Sequence, residues 1–157
     1  MRMGGKFLYF AYGSNLLKQR IHINNPSAVR AGIAKLKDYQ LDFVTYSKRW
    51  RGASATIVPK KGSHVWRALW EIDMTDMDNL DKRVHDNIYI PLMLEAEKFC
   101  WGQAEMSDIP EDRQPSAVYL NTILKGAIES GLPKDYQEFL KRIPHNGYVG
   151  DVDIGEI

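Results

Sequence analysis

The densest chemical signal in the chain is the segment FLYFAYGSNLL, Phe7 to Leu17. An apolar, aromatic stretch runs into Gly13-Ser14-Asn15 and then into Leu16 to Ile21, which reads as a short helix. Glycine lets the chain turn where a Cβ would clash, and Ser14 or Asn15 can cap the helix start. The N–H groups exposed at such a turn suit a carboxylate or a developing oxyanion, with no Lys or Arg required. The same strand–cap–helix junction also occurs with no ligand, so these residues by themselves leave both readings open.

Other chemistry-bearing residue types are sparse. Cys100 is the single cysteine; it excludes an intrachain disulfide, supplies too little for zinc, and reads as a buried thiol between Phe99 and Trp101. His22 and His64 have no Cys or His at ligand spacing, so no metal is expected. Trp50, Trp66 and Trp70 could stack on bases or sugars, but Trp66 and Trp70 share a strand face and read as core. Arg30, Lys35, Lys37 and Lys48-Arg49-Trp50-Arg51 concentrate positive charge locally. With 21 Lys and Arg against 20 Asp and Glu, a net charge of +1, they read as a solvated face and no nucleic-acid partner is expected. The longest apolar run near the start, Phe7 to Tyr12, is far below the ~20 residues of a spanning helix. Met1 to Lys6 lacks a signal-peptide h-region. With the lone cysteine, this points to a reducing, cytoplasmic compartment and no membrane partner.

The elements that must position the loop follow from periodicity. Phe7–Tyr12 reads as a buried strand, Leu36–Thr45 as a second, Ala53–Val58 as a third stopped by Pro59, and Val65–Ile72 as a fourth. Lys60-Lys61-Gly62-Ser63 reads as the hairpin turn between the last two. Asp73–Arg83 reads as a short helix packing Met77 and Leu80, and Ile88–Glu97 with Phe99–Met106 as a hairpin. Ser116–Ser130 carries apolar residues at helical spacing and ends at Gly131. Pro133 opens a further helix with Tyr136, Phe139, Leu140 and Ile143 on one face, ended by Pro144. Strands followed by helices in one domain, residues 1–157, argue an α+β fold with a mostly antiparallel or closed sheet.

The segment YFAYGSNLL, continuing into RIHINNPSAV, resembles the γ-glutamylcyclotransferases. Leu41–Phe43, Trp50–Ile57, Val65–Ile72, Asn79–Asp81, Tyr89, Pro115–Leu120 and Gly131–Lys141 follow in the order that family shows. The resemblance implies a compact mixed β-barrel with flanking helices and a pocket with the YGSN loop at its mouth. It implies conversion of a γ-glutamyl amino acid, the small-molecule partner, to 5-oxoproline and a free amino acid, without metal or organic cofactor. It leaves room for a homodimer. Carried over by position, the substrate-binding residues are Tyr9, Phe10, Ala11, Tyr12, Gly13, Ser14, Tyr89 and Tyr119.

One departure stands out. The family's general base is a glutamate in a Glu-Gly-Val stretch, but this chain reads Leu80-Asp81-Lys82-Arg83-Val84-His85-Asp86-Asn87-Ile88-Tyr89. With Leu80-Asp81 and Tyr89 held in place, the segment is two residues short: Glu-Gly is missing between Arg83 and Val84. Losing a general base typically costs about 10²–10⁴ in rate. Asp81, His85 and Asp86 are the neighbouring groups, and none is assigned a catalytic role. The alternative reading is a catalytically impaired homologue that binds γ-glutamyl compounds or a protein partner without turnover.

Overall fold

The structure is a computed structural model that describes residues 5–76 and 113–152. Three strands, β1 (Lys6–Ala11), β2 (Val29–Ser47) and β3 (Gly52–Asp73), form an antiparallel sheet in the order β1-β3-β2. A 3₁₀ turn (Ser14–Leu16) and the short helix α1 (Lys18–Ile21) follow β1. Helices α2 (Ala117–Ser130) and α3 (Lys134–Lys141) come from the far end of the chain. The α+β class and antiparallel sheet are as the sequence indicates. Among the described residues the sheet is not closed, so "barrel" describes it loosely.

The strands are longer and fewer than periodicity suggests. The third and fourth expected strands are one strand, β3, and the second begins at Val29 rather than Leu36. The chain does not reverse at Lys60-Lys61-Gly62-Ser63. Lys37 pairs with His64 and Tyr39 with Pro59, so these four residues bulge opposite Asp38. Asp38 (φ 63°) and Gly62 (φ 87°) take the left-handed backbone the bulge needs, and the Asp38 carboxylate accepts the Gly62 N–H at 3.0 Å. The reversal lies at Lys48–Arg51, between the paired Ser47 and Gly52. Turn-forming residues also form bulges, and only the long-range pairing separates the two uses.

The helices match the expectation more closely. Ser116 caps α2 by accepting the Tyr119 N–H at 3.2 Å, and Gly131 (φ 74°) closes it in the left-handed conformation. Tyr119, Leu120, Ile123 and Ala127 are buried, whereas Ile128 is exposed. Helix α3 buries Tyr136 and Leu140 and ends at Lys141, before Pro144. The expected helix Leu16–Ile21 is broken at Leu17, whose extended backbone (ψ 124°) separates the 3₁₀ turn from α1. Of the expected helix Asp73–Arg83, a 3₁₀ turn at Met74–Asp76 is described. The remainder of it, the hairpin Ile88–Glu97/Phe99–Met106, Tyr89, Cys100 and the two-residue shortfall lie outside the described residues.

The core gathers Leu16, Leu41, Phe43, Ile57, Trp70 and Ile72 with Ile123 and Leu140 of the helices, all nearly or fully inaccessible. Two glycines set how closely the layers approach. A Cβ at Gly126 would lie 2.5 Å from Leu16 Cβ and the Leu17 nitrogen, so α2 rests directly on the loop after β1. A Cβ at Gly52 would lie 2.3 Å from the Ser116 nitrogen, which fixes the start of α2 against the hairpin. No helix among the described residues is long and apolar enough to cross a membrane.

Candidate functional site

The loop Gly13–Leu17 is held from several sides. The Trp70 indole N–H donates to the Asn15 carbonyl at 2.9 Å. The Leu16 carbonyl accepts from the Ser130 hydroxyl at 3.1 Å and from Arg30 at 3.4 Å. Glu129 takes both the Lys18 N–H at 2.8 Å and the Arg30 guanidinium at 2.6 Å, and Arg30 lies 4.5 Å over the Trp70 ring. Burial alone would raise the Glu129 pKa, but Arg30, the Lys18 N–H and the nearby charges outweigh it and hold the carboxyl below its ordinary value.

The turn's own bonds run from the Leu16 and Leu17 N–H groups to the Gly13 and Ser14 carbonyls. The Ser14 and Asn15 N–H groups therefore have no partner within the turn. Neither expected cap operates: Gly13 occupies the cap position without a side-chain bond, and the Asn15 amide instead donates to the Tyr9 hydroxyl at 3.3 Å. The reason is geometric, because Tyr9 of β1 stands beside Asn15.

A narrow cleft of about 20 Å³ is lined by Tyr9, Tyr12, Gly13, Ser14, Asn15 and Tyr119. Tyr119 arrives from α2, where the cap at Ser116 places it in the first turn. Its hydroxyl accepts the Ala55 N–H at 3.0 Å, its ring lies 4.5 Å from Trp50, and Phe43 meets it edge-on at 6.3 Å. A Cβ at Gly13 would sit 3.2 Å from this hydroxyl, so the glycine lets the phenol approach the loop. The Tyr12 hydroxyl is buried and has no hydrogen-bond partner among the described residues. Burial raises all three phenol pKa values; Tyr119 is pushed up to about 12, its bond from Ala55 only partly opposing this. At neutral pH the three remain hydroxyls, which makes them donors and not bases.

The sequence-based site thus assembles in part. Tyr9, Tyr12, Gly13, Ser14 and Tyr119 converge. Phe10 and Ala11 do not line the cleft. Strand alternation turns Phe10 to the face opposite Tyr9, beneath the buried Arg67 guanidinium 4.5 Å away, and Ala11 is part of the core. Tyr89 lies outside the described residues.

Beside the cleft, sharing Ser14, Asn15 and Tyr119 with it, opens a cavity of about 340 Å³. Its other walls are Arg20 of α1, the end of β2 at Thr45–Ser47, Lys48, Arg49 and Trp50 of the hairpin turn, and Ser54. Arg20 is 4% exposed, with its guanidinium 5.7 Å from the Trp50 ring centre. The residues Lys48-Arg49, expected as solvated face, are exposed and yet form a wall of this cavity. Trp50, expected as core, is buried and also faces it. Sequence reasoning passed over Arg20 and the Asn15 amide; the only available signal was their position immediately around the YGSN turn. Among the described lining residues of both spaces there is no carboxylate and no imidazole. His22 is engaged elsewhere, with Nε2 2.7 Å from the Ala28 carbonyl oxygen.

Residues 64–140 match the AIG2-like family. The chain is 39% identical over 159 residues to the γ-glutamylcyclotransferase of Mus musculus, spanning 95% of this chain and 85% of that protein. It is 39% identical over 157 residues to the Homo sapiens γ-glutamylcyclotransferase, spanning 93% and 83%. A solved structure of a γ-glutamyl cyclotransferase aligns with a TM-score of 0.74 at 34% identity, over 95% of this chain and 94% of that one. YkqA from Bacillus subtilis aligns with a TM-score of 0.58 at 20% identity, over 89% and 56%, and shares the fold.

Proposed function

The chain belongs to the γ-glutamylcyclotransferase family, and from that premise we propose that it converts a γ-glutamyl amino acid into 5-oxoproline and the free amino acid. The observation that carries this reading is the convergence of Tyr9, Tyr12, Gly13, Ser14 and Tyr119 in one cleft, drawn from two ends of the chain.

In the reaction the α-amine attacks the δ-carbonyl of the same glutamyl group. A five-membered ring forms, and the carbon–nitrogen bond to the departing amino acid breaks. One proton leaves the attacking amine and one reaches the departing nitrogen, so no water is consumed. Because attack is intramolecular, the protein's main tasks are to orient the chain and stabilise the oxyanion, and well-oriented intramolecular reactions reach effective molarities of about 10⁵–10⁸ M. The Ser14 and Asn15 N–H groups, which take no part in the turn's own bonds, are suited to the oxyanion. Tyr119 and Tyr9 already accept hydrogen bonds from Ala55 and Asn15, which leaves their own protons for the substrate. The orphaned Tyr12 hydroxyl offers a further donor. The phenols, held protonated by burial, do not serve as the base. Asp81, His85 and Asp86 stand in the stretch that lacks the family's Glu-Gly, outside the described residues.

The test is release of 5-oxoproline from γ-glutamyl-alanine by the chain as it stands and by a variant with Glu-Gly inserted between Arg83 and Val84. Turnover by the unmodified chain supports the reading, and the insertion is expected to raise kcat by about 10²–10⁴. If neither form exceeds the uncatalysed rate, the reading fails.

A further inference from the structure

Arg67 of β3 holds a positive charge that no anion answers among the described residues. It is 7% exposed, its guanidinium makes no hydrogen bond or ion pair with those residues, and its Nε is buried without a partner. The guanidinium lies 4.5 Å over the Phe10 ring. Ala34, its partner on β2, is apolar, and the neighbouring Lys35 lies over the Trp66 ring. An aromatic face offsets only part of what it costs to take a guanidinium out of water with no anion beside it. Burial pulls the Arg67 pKa below its ordinary value, but a guanidinium keeps its proton in proteins.

This charge stands next to the narrow cleft. The β1–β3 ladder ends where Ala11 pairs with Ala68, so Tyr12 and Arg67 each lie one residue beyond it. There β1 leaves the sheet, and Tyr12 goes on to line the cleft while Arg67 stays in β3 against Phe10. Tyr9 and Tyr119 accept hydrogen bonds, whereas the buried Tyr12 hydroxyl has no partner among the described residues. Arg67 and Tyr12 act on each other electrostatically, the cation opposing the rise that burial imposes on the phenol. Arg20 acts in the same sense on the other two phenols, Tyr9 and Tyr119. A cation close to a neutral hydroxyl polarises its O–H bond and strengthens it as a donor, most of all where water is excluded. Arg67 is not itself among the described residues lining the cleft, so its influence there runs through Tyr12.

Resting on the cyclotransferase reading, we propose that Arg67 is a positioning residue whose unpaired charge strengthens the Tyr12 hydroxyl as a donor to the oxygen that becomes negative as the ring closes. That donor is called on only as charge develops, so Arg67 governs kcat more than KM. An acidic partner would stabilise the fold but cancel the field at Tyr12.

The test follows release of 5-oxoproline from γ-glutamyl-alanine, in the chain as it stands or in its Glu-Gly insertion form if that one alone turns over. Arg67→Gln is expected to lower kcat about tenfold and to leave KM within about twofold. Arg67→Lys, which keeps the charge, should retain most of the activity. Tyr12→Phe should lower kcat to a similar extent, and adding Arg67→Gln to it should change kcat by less than about twofold, because both act through one hydroxyl. In denaturant, Arg67→Gln should be no less stable than wild type, since it removes an unpaired buried charge. An unchanged kcat in Arg67→Gln, or an equal loss in the Tyr12→Phe background, overturns the inference and leaves the cyclotransferase reading standing. So does a loss of stability in Arg67→Gln, which would assign Arg67 to the fold. If neither form of the chain turns over, the cyclotransferase reading falls and this inference falls with it.

Discussion

The two walls of the large cavity are built on opposite principles. The wall at Ser14–Leu17 is pinned by the Trp70 indole, the Ser130 hydroxyl, the Glu129–Arg30 pair and the direct approach of α2 at Gly126. The wall at Lys48–Trp50 is an exposed turn, tethered by the Trp50 N–H to the Ser47 hydroxyl at 3.3 Å and by the Trp50 ring against Tyr119. The first presents backbone donors, whose value depends on ångström-scale placement. The second presents charges, whose attraction falls off slowly and tolerates mobility. Backbone donors call for the close placement that the first wall has, whereas exposed charges act over a longer range.

Gly126→Val would strike the pinned wall hardest, because its side chain would need space occupied by Leu16 and the Leu17 backbone. Kinetics should show a loss of about 10²-fold or more in kcat, the scale of a 1 Å misplacement. Calorimetry should show destabilisation of about 1–3 kcal/mol from overpacking. Unchanged kcat would mean that the loop's placement is not critical.

Tyr119→Phe probes the point where the walls touch. It leaves the buried Ala55 N–H without its acceptor, which should cost about 1–3 kcal/mol in denaturant unfolding. Activity should fall about tenfold or more if the hydroxyl also serves the substrate. A loss of stability with kcat intact would reduce Tyr119 to a structural role.

Lys48→Gln/Arg49→Gln should leave the melting free energy within about 0.5 kcal/mol of wild type, as exposed substitutions do. A clear loss of stability would show this wall to be structural and break the contrast.

The smallest effect is pH-dependent. The Glu129 carboxyl is held below its ordinary 4.5 in the folded chain. Its contribution to stability is therefore complete above that value and is lost as pH falls through the lower folded value. The melting temperature of Glu129→Gln should lie slightly below wild type at neutral pH and converge with it in acid. A gap that persists in acid would assign the effect to packing.

Local signals made part of this molecule legible. Ser116 and Gly131 mark the ends of α2, and the Tyr9–Ser14 segment marks the loop, because caps and turns are encoded by adjacent residues. The β-topology was less legible. Lys60-Lys61-Gly62-Ser63 has turn chemistry, yet Asp38 across the sheet makes it a bulge, and the true reversal at Lys48–Arg51 looked like a charged surface run. Arg20 was invisible for the same reason: the Trp50 ring it lies against is 30 residues away along the chain.

The sequence by itself determined the family, the loop with its glycine and the phenols that remain protonated donors when buried, since these reside in contiguous residues or in side-chain chemistry. The tertiary structure decided which phenols meet, which N–H groups the turn does not use itself, and that cations from two elements share one cavity. Those outcomes depend on strand register and on how closely α2 approaches the loop, and both are set by packing between residues distant in the chain.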